Sequence, residues 1–171
     1  MPITVRSATR ADAPAIARVH LVSHREAYVE PGLVSGDLVE GWTLADRTIR
    51  WATNLAVAEG ALAPADGLPR MAIHVAEVAG RVVGWASTSA GRDLEPPRGI
   101  ELEGLYALAE VHGTGVGQAL LDAAIGDRPA YLWALETNPR AHAFYRRNGF
   151  ELDGLKKPGG RWPVALVRLV R

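Results

Sequence analysis

The chain has 171 residues, 48% of them hydrophobic, which fits a single domain over residues 1–171 with a core of its own. Its 19 basic and 19 acidic residues balance, so no net field favours nucleic acid or an anionic membrane as a partner. The absence of cysteine excludes disulfides, thiolate catalysis and cysteine-ligated zinc. The N-terminus lacks a signal-peptide pattern and no apolar run approaches the ~18–20 residues that span a bilayer, so we expect a cytoplasmic protein.

The first third of the chain predicts one strand and two helices. Residues 3–6 alternate as a short strand, and Thr9 with Asp12 forms the pattern of a capping box. Apolar spacing then predicts a helix to about Tyr28, which Pro31 and Gly32 end. A second helix is predicted from Thr43 to Leu55, followed by a surface loop over residues 58–70.

The remaining elements alternate strands with shorter helices. Met71–Val78 and Arg81–Ser89 predict an antiparallel hairpin around Ala79 and Gly80, and Ile100–Leu108 predicts a third strand beside it. After a glycine loop, the predicted elements are a helix Gln118–Ile125, a strand Tyr131–Glu136, a helix Arg140–Asn148, and strands Phe150–Leu155 and Trp162–Val170. This order predicts an α+β fold, a mainly antiparallel sheet with helices on its faces.

The glycine loop, His112–Gln118, carries glycines at positions 113, 115 and 117 between a predicted strand and a predicted helix. Alternate glycines let successive amides point to one centre, and a helix N-terminus favours a phosphate there. The Gly-Lys-Ser/Thr tripeptide of a Walker loop is absent, and the spacing differs from the G-x-G-x-x-G dinucleotide fingerprint. Taken alone, the loop is compatible either with a phosphate site or with an ordinary strand-to-helix turn.

A second informative segment runs from Glu136 to Glu151. Asn138 is suited to cap the short helix with Pro139 at its first position, and Gly149 is suited to end it. Phe144 and Tyr145 lie on one side of this helix, where Phe144 is predicted to be core. The Tyr145 hydroxyl either packs in the core or points into a cleft.

Together these two segments resemble motifs A and B of the GNAT (GCN5-related N-acetyltransferase) superfamily. His112–Gly117 is similar to its Q/R-x-x-G-x-G/A motif, Leu105–Ala107 to its Leu-Tyr-Val, and Asn138–Phe150 to its N-x-x-A-x-x-F-Y-x-x-x-G-F pattern. The resemblance covers most of the chain in element order. His112 departs from it, because the family has Gln or Arg there, and we expect a modest effect on cofactor affinity.

This resemblance implies a sheet of about seven strands in which Ile100–Leu108 and Tyr131–Glu136 are parallel and splay apart to admit the pantetheine arm of acetyl-CoA. The backbone of Leu105–Ala107 would pair with pantetheine and polarise the acetyl carbonyl, and the glycine loop would hold the pyrophosphate. The implied cofactor-binding residues are Leu105, Tyr106, Ala107, His112, Gly113, Thr114, Gly115, Val116, Gly117, Gln118, Asn138 and Tyr145. No metal is expected.

The implied reaction is direct attack of a neutral amine on the thioester. Tyr145 is the candidate acid for the leaving sulfur, because a phenol with a pKa near ~10 is protonated at neutral pH. Glu103 and Glu101 are the candidate bases, since both alternate along the strand on the face of Leu105, and Glu103 is favoured as the nearer to the expected acetyl position. Both glutamates could equally be solvent-facing charges.

For the acceptor, the resemblance implies a primary amine of a small molecule or of a peptide N-terminus. Five acidic residues and no Lys or Arg lie from Glu26 to Asp46, which is compatible with attraction of a cation or with a solvated surface. Glu26, Tyr28 and Trp42 are the candidate acceptor residues, although a tryptophan so placed is more often core. Alternatives are a coenzyme A-binding sensor or regulatory module without turnover and a purely structural domain; a homodimer is compatible with either function.

Overall fold

The computed structural model describes residues 2–65, 67–160 and 162–171. Its strands are β1 (Ile3–Ser7), β2 (Ala72–Val78), β3 (Arg81–Ala90), β4 (Ile100–Ala107), β5 (Tyr131–Leu135), β6 (Glu151–Lys157) and β7 (Leu166–Val170). Its α-helices are α1 (Ala13–His24), α2 (Asp37–Glu40), α3 (Leu44–Ala58), α4 (Val116–Ala124) and α5 (Pro139–Arg147). The strands form one sheet in the order β1-β2-β3-β4-β5-β7-β6, which confirms the predicted α+β class.

Local sequence patterns account for several element boundaries. The Thr43 side chain accepts a hydrogen bond from the Asp46 N–H at 3.1 Å and starts α3. Asp12 accepts one from the Thr9 N–H at 2.8 Å, which is the acidic half of the predicted capping box. In the β2–β3 hairpin, Ala79 and Gly80 have φ values of 51° and 73°, the positive pair that a two-residue type I′ turn needs.

The short helix α2 was not predicted, and several boundaries differ from the prediction, among them the starts of α4 and β7. Helix α4 begins at Val116 rather than Gln118, because Gly115 is its N-terminal cap in the left-handed region, with φ of 98°. Strand β7 begins at Leu166 rather than Trp162, because the Trp162 N–H donates to the Gly159 carbonyl at 3.2 Å in a tight turn.

The two faces of the sheet carry different helices. A Cβ added at Gly84 would lie 2.9 Å from Leu120 of α4. The next side chain, Trp85, points to the opposite face, where its ring centroid lies 4.6 Å from that of Trp51 in α3 and 5.5 Å from that of His20 in α1. Helix α4 therefore covers one face, and α1 with α3 covers the other.

Strand β4 carries a β-bulge that overturns one prediction. Ser87 pairs with Gly104 and Thr88 with Leu102, so Glu103 is an extra residue in β4. Leu105 pairs with Ala86 while Glu101 pairs with Ser89, three residues further along β3. Since directly opposed residues share a face, Glu101 and Leu105 lie on opposite faces. The prediction of one shared face was wrong because it assumed strict alternation through the bulge.

The helix that begins as α1 does not end at His24. Beyond His24 the helix continues as one π-helical turn, Arg25–Val29, in which Ala27 and Tyr28 are buried. Such turns often occur at functional sites.

Among the described residues, no helix is both long enough and apolar enough to cross a membrane.

Candidate active site

The parallel strands β4 and β5 separate near their midpoints and open a cavity. Over the described chain they pair at Glu101 with Tyr131 and at Leu102 with Leu132, and no further along. Beyond this point a cavity of about 560 Å³ is lined by both strands, the glycine loop, the end of α1 and one side of α5. The splay that the resemblance implied is therefore present.

The glycine loop forms the N-terminal edge of α4 at this cavity. Gly113 and Gly115 have φ values of 77° and 98°, which side chains other than glycine rarely adopt. Gly117 has no such backbone requirement, and a Cβ there would make only ordinary contact, 3.4 Å from Phe144. Because Gly117 lines the cavity, its missing side chain leaves space beside the first amides of α4. This cradle fits a phosphate group.

His112 occupies the position at which the family has Gln or Arg. Its Nε2 lies 3.1 Å from the Ala107 carbonyl oxygen, and its Nδ1 lies 2.9 Å from Nη1 of Arg140. A carbonyl only accepts and a guanidinium only donates, so the tautomer that satisfies both contacts carries its hydrogen on Nε2. The imidazole thus links the end of β4 to the first turn of α5.

Three tyrosines converge on the cavity. The hydroxyls of Tyr28 and Tyr106 lie 3.0 Å apart, and both side chains line the cavity together with Tyr145. Burial raises the pKa of Tyr28 and of Tyr145, and it raises that of Tyr106 well above its ordinary value. All three phenols therefore carry their protons at neutral pH.

Asn138 starts the helix that carries Tyr145. Its side-chain oxygen accepts a hydrogen bond from the Ala141 N–H at 3.1 Å, and the residue is buried at the cavity wall. The predicted N-cap is therefore confirmed, and it sets where α5 begins relative to β5.

Glu101 is enclosed by hydrogen-bond donors below the point of splay. Oε1 accepts from Nη2 of Arg92 at 2.7 Å, while Oε2 accepts from Arg92 and from the Tyr131 hydroxyl at 3.0 Å. Burial alone would raise the pKa of Glu101, but the hydrogen bonds and charge of Arg92 bring it below its ordinary value. Glu101 is 4% exposed and does not line the cavity.

Glu103 has a different environment, although Arg92 reaches it too. Its Oε2 lies 3.2 Å from Nη1 of Arg92, and the residue lines the cavity opposite Trp133 of β5. The bulge places this carboxylate where the strands begin to separate. The structure therefore puts Glu103, and not Glu101, at the cavity.

The cavity includes most, but not all, of the predicted cofactor-binding residues. Those that line it are Leu105, Tyr106, Ala107, His112, Gly113, Gly115, Gly117, Gln118, Asn138 and Tyr145. Thr114 and Val116 do not: the Thr114 hydroxyl donates to the Val111 carbonyl at 2.7 Å, and Val116 is fully buried.

Of the three predicted acceptor residues, Tyr28 alone lines the cavity. The Glu26 carboxylate accepts from the Ala109 N–H at 2.8 Å and ties the π-helical turn to the loop after β4. Trp42 does not line the cavity; its ring centroid lies 5.3 Å from that of His24 and 6.2 Å from that of Trp162.

Sequence reasoning missed four residues with roles near the cavity: Arg92, Trp133, Arg140 and Arg147. Arg92 lies in a loop, and only the fold brings it to β4. Arg140 and Arg147 are seven residues apart, a spacing that places two side chains on the same helix side. Within the described segments, no group of three or more His, Asp or Glu side chains is placed to hold a metal ion.

Comparisons with known proteins agree with this geometry. An acetyltransferase (GNAT) domain model matches residues 69–152. An uncharacterised N-acetyltransferase from Mycobacterium tuberculosis is 36% identical over 94 residues, 52% of this chain and 58% of that protein. The chain thus spans little more than half the length of the curated relatives that it matches.

Solved structures match over the full length. Coenzyme A-bound PaiA N-acetyltransferase from Thermoplasma acidophilum is 16% identical, with a TM-score of 0.72 and full coverage of both chains. A ribosomal-protein-alanine N-acetyltransferase from Brucella melitensis is 26% identical, with a TM-score of 0.63 and 98% coverage of each. Sequence motifs, sheet order and these matches all support the GNAT superfamily: the chain is similar to its members in sequence over residues 69–152 and in fold over its full length.

Proposed function

We propose that this protein is an acetyl-CoA-dependent N-acetyltransferase whose acceptor is a primary amine of a small molecule or of a peptide N-terminus. The observation that carries this proposal is the cavity where β4 and β5 separate, with the glycine loop at one end and Glu103 in its wall. Two comparisons also support the proposal: the match to an acetyltransferase (GNAT) domain model, and the coenzyme A bound in the structurally similar PaiA N-acetyltransferase.

The cofactor's phosphate end fits the cradle at Gly113–Gln118, where the helix N-terminus and the space at Gly117 favour an anion. The pantetheine arm fits the edge of β4 beyond Leu102, which lacks a strand partner among the described residues. An added strand of this kind binds through backbone hydrogen bonds. An amide of Leu105–Ala107 would also stabilise negative charge on the acetyl oxygen.

Glu103 is the proposed base. In the reaction the acceptor nitrogen forms a bond to the carbonyl carbon, the carbon–sulfur bond breaks, and a proton leaves the nitrogen. Glu103 lines the cavity and can receive that proton directly or through one water. Glu101 is unsuited to this role, since Arg92 and Tyr131 already occupy its oxygens.

Tyr145 is the proposed proton donor to the departing sulfur. It lines the cavity from α5, and its raised pKa keeps the phenol protonated across the neutral range. The same raised pKa makes complete transfer to a thiolate unfavourable at equilibrium, because thiols titrate near ~8.5. Tyr145 would therefore act chiefly as a hydrogen-bond donor during bond cleavage, with solvent supplying the final proton.

The acceptor would approach from the end of the cavity bounded by Tyr28, Tyr106 and Trp133. These aromatic side chains, with the carboxylate of Glu103, suit an amine that enters as a cation and loses one proton there. This assignment moves the acceptor site away from Glu26 and Trp42, because neither residue lines the cavity.

The test is release of free thiol from acetyl-CoA during incubation with a panel of aryl-alkylamines, polyamines, amino acids and short peptides. We expect thiol release that depends on both the protein and an amine, with the acetylated amine detected by mass spectrometry. Binding of acetyl-CoA without turnover on any amine would instead identify a sensor or regulatory module. Absence of binding would contradict the proposal. The cytoplasmic location and a homodimer stay predictions.

A further inference from the structure

Arg92 lies between the two glutamates of β4, and buried groups fix its position. Its Nη2 and Nε donate to the two oxygens of Glu101 at 2.7 and 3.0 Å, a bidentate pair of charged hydrogen bonds. Its backbone N–H donates to the Tyr131 hydroxyl at 3.0 Å. Glu101 and Tyr131 are both buried, so the groups that hold this guanidinium are themselves fixed by packing.

The loop that carries Arg92 is also closely packed where it leaves β3. The Gly91 N–H donates to the Gly99 carbonyl at 3.2 Å. A Cβ added at Gly91 would lie 2.6 Å from Pro96 and 3.1 Å from Tyr131, so a larger residue would not fit there without movement. Both the backbone and the side chain of Arg92 are therefore held in place.

The remaining terminal nitrogen of Arg92 faces the proposed base. With Nε and Nη2 on Glu101, Nη1 lies 3.2 Å from Oε2 of Glu103. A glutamate side chain has several rotatable bonds and a broad terminal torsion, so a carboxylate without a partner samples many orientations. The contact with Arg92 restricts Glu103 and leaves Oε1 as the oxygen that can face an acceptor or a water.

Resting on the proposed function, we infer that Arg92 is the positioning residue for Glu103: it holds Oε2, so that Oε1 faces the acceptor nitrogen where β4 and β5 separate. Arg92 does not line the cavity, and so it acts through Glu103 rather than on either substrate. Buried Glu101 holds Arg92 in turn. Displacing a base by about 1 Å can lower a rate about a hundredfold, so loss of this contact should reduce kcat.

Steady-state kinetics of thiol release test the inference, with acetyl-CoA and an amine that wild type acetylates. Arg92→Gln is expected to lower kcat about tenfold and to leave the KM for acetyl-CoA within about twofold, because the base loses its fixed orientation while the cofactor contacts stay intact. Arg92→Lys is expected to lose only about threefold, since its ammonium keeps the charge but reaches one carboxylate at a time.

A double-mutant cycle with Glu103→Gln separates positioning from a general structural role. Adding Arg92→Gln to the Glu103→Gln protein is expected to lower kcat by no more than about twofold further, because the base is already absent. A further loss of about tenfold would mean that Arg92 acts independently of Glu103, and it would overturn the inference. Where Arg92→Gln does not fold, Arg92→Lys completes the same cycle, and its smaller loss should likewise disappear in the Glu103→Gln protein.

Arg6 offers a matched control, because it also bridges two carboxylates and its side chain is 38% exposed, against 40% for Arg92. It lies on β1, at one edge of the sheet, and does not line the cavity. Arg6→Gln should lower the unfolding temperature, as Arg92→Gln does, and leave kcat unchanged. An unchanged or raised kcat in Arg92→Gln would overturn the inference and leave the proposed function intact. If wild type releases no thiol with any amine, the proposed function and the inference fail together.

Discussion

At the scale of single residues, the two glutamates of β4 illustrate how environment separates similar side chains. Arg92 forms an ion pair with both, yet Glu101 is buried among fixed hydrogen-bond donors and Glu103 lines the cavity. The sequence offered both as bases and favoured Glu103, but it could not show that Glu101 is enclosed, because Arg92 and Tyr131 reach Glu101 only through long-range contacts. Position relative to the splay, rather than residue type, distinguishes a structural carboxylate from one available to substrate.

Glu103→Gln is expected to lower kcat about a hundredfold and to leave the KM for acetyl-CoA within twofold, because an amide cannot take the proton of the amine. Glu101→Gln serves as its matched control. That variant should keep most of kcat but lower the free energy of unfolding by about 2 kcal/mol, since it weakens a charged hydrogen-bond network. Steady-state kinetics and chemical denaturation check both. A normal kcat in the Glu103 variant would rule out this base.

Tyr145→Phe is expected to lower kcat by about tenfold to a hundredfold with little change in acetyl-CoA affinity, because it removes only the proposed hydrogen-bond donor to the sulfur. The raised pKa of Tyr145 also predicts that wild-type activity shows no loss from ionisation of this phenol below pH ~10. Kinetics of both proteins across the alkaline range check this. Full activity of the variant would mean that Tyr145 only packs.

At the scale of elements, patterns that act within a few residues were predictable and interruptions of those patterns were not. The caps at Thr43 and Asn138 and the hairpin turn at Gly80 follow from local chemistry. The bulge at Glu103 does not, because it arises from how β3 and β4 meet and leaves no mark in the alternation of residues. The splay of β4 from β5 was expected only through resemblance to the family.

The capping box before α1 gives an element-scale prediction. Arg6 donates to both oxygens of Asp12, at 2.8 and 2.7 Å, and this hydrogen bonding lowers the pKa of Asp12 against the effect of burial. A lowered folded-state pKa stabilises the fold above the ordinary value of 3.8, and this stability is lost as pH falls through the folded-state pKa. Asp12→Asn should therefore cost about 1–2 kcal/mol at pH 7.

The gap between wild type and this variant should shrink as the pH is lowered below about 4, as measured by denaturant unfolding at each pH. Asp127→Asn is a suitable control, because Asp127 is exposed, and it should track wild type throughout. A gap that is constant from pH 7 to pH 3 would contradict the assigned role of the Asp12 charge.

At the scale of the whole molecule, distant segments build the cavity. Strand β7 inserts between β5 and β6, an order that no local pattern indicates. The ring centroid of Trp162, just before β7, lies 5.4 Å from that of Tyr28, which links the C-terminal segment to the helix that begins as α1 at the proposed acceptor end. The fold class and the proposed cofactor end were accessible from motifs, whereas the proposed acceptor end depends on contacts between segments far apart in sequence.

The central claim is that acetyl-CoA binds in the cavity between β4 and β5 with its phosphates at the glycine loop. Calorimetric titration of wild type and Gly117→Val with acetyl-CoA tests it most directly, because the added side chain fills the space beside the first amides of α4. We expect saturable one-to-one binding by wild type and affinity at least tenfold weaker in the variant, with similar unfolding temperatures. Equal binding by the two proteins, or no binding by wild type, would contradict the claim.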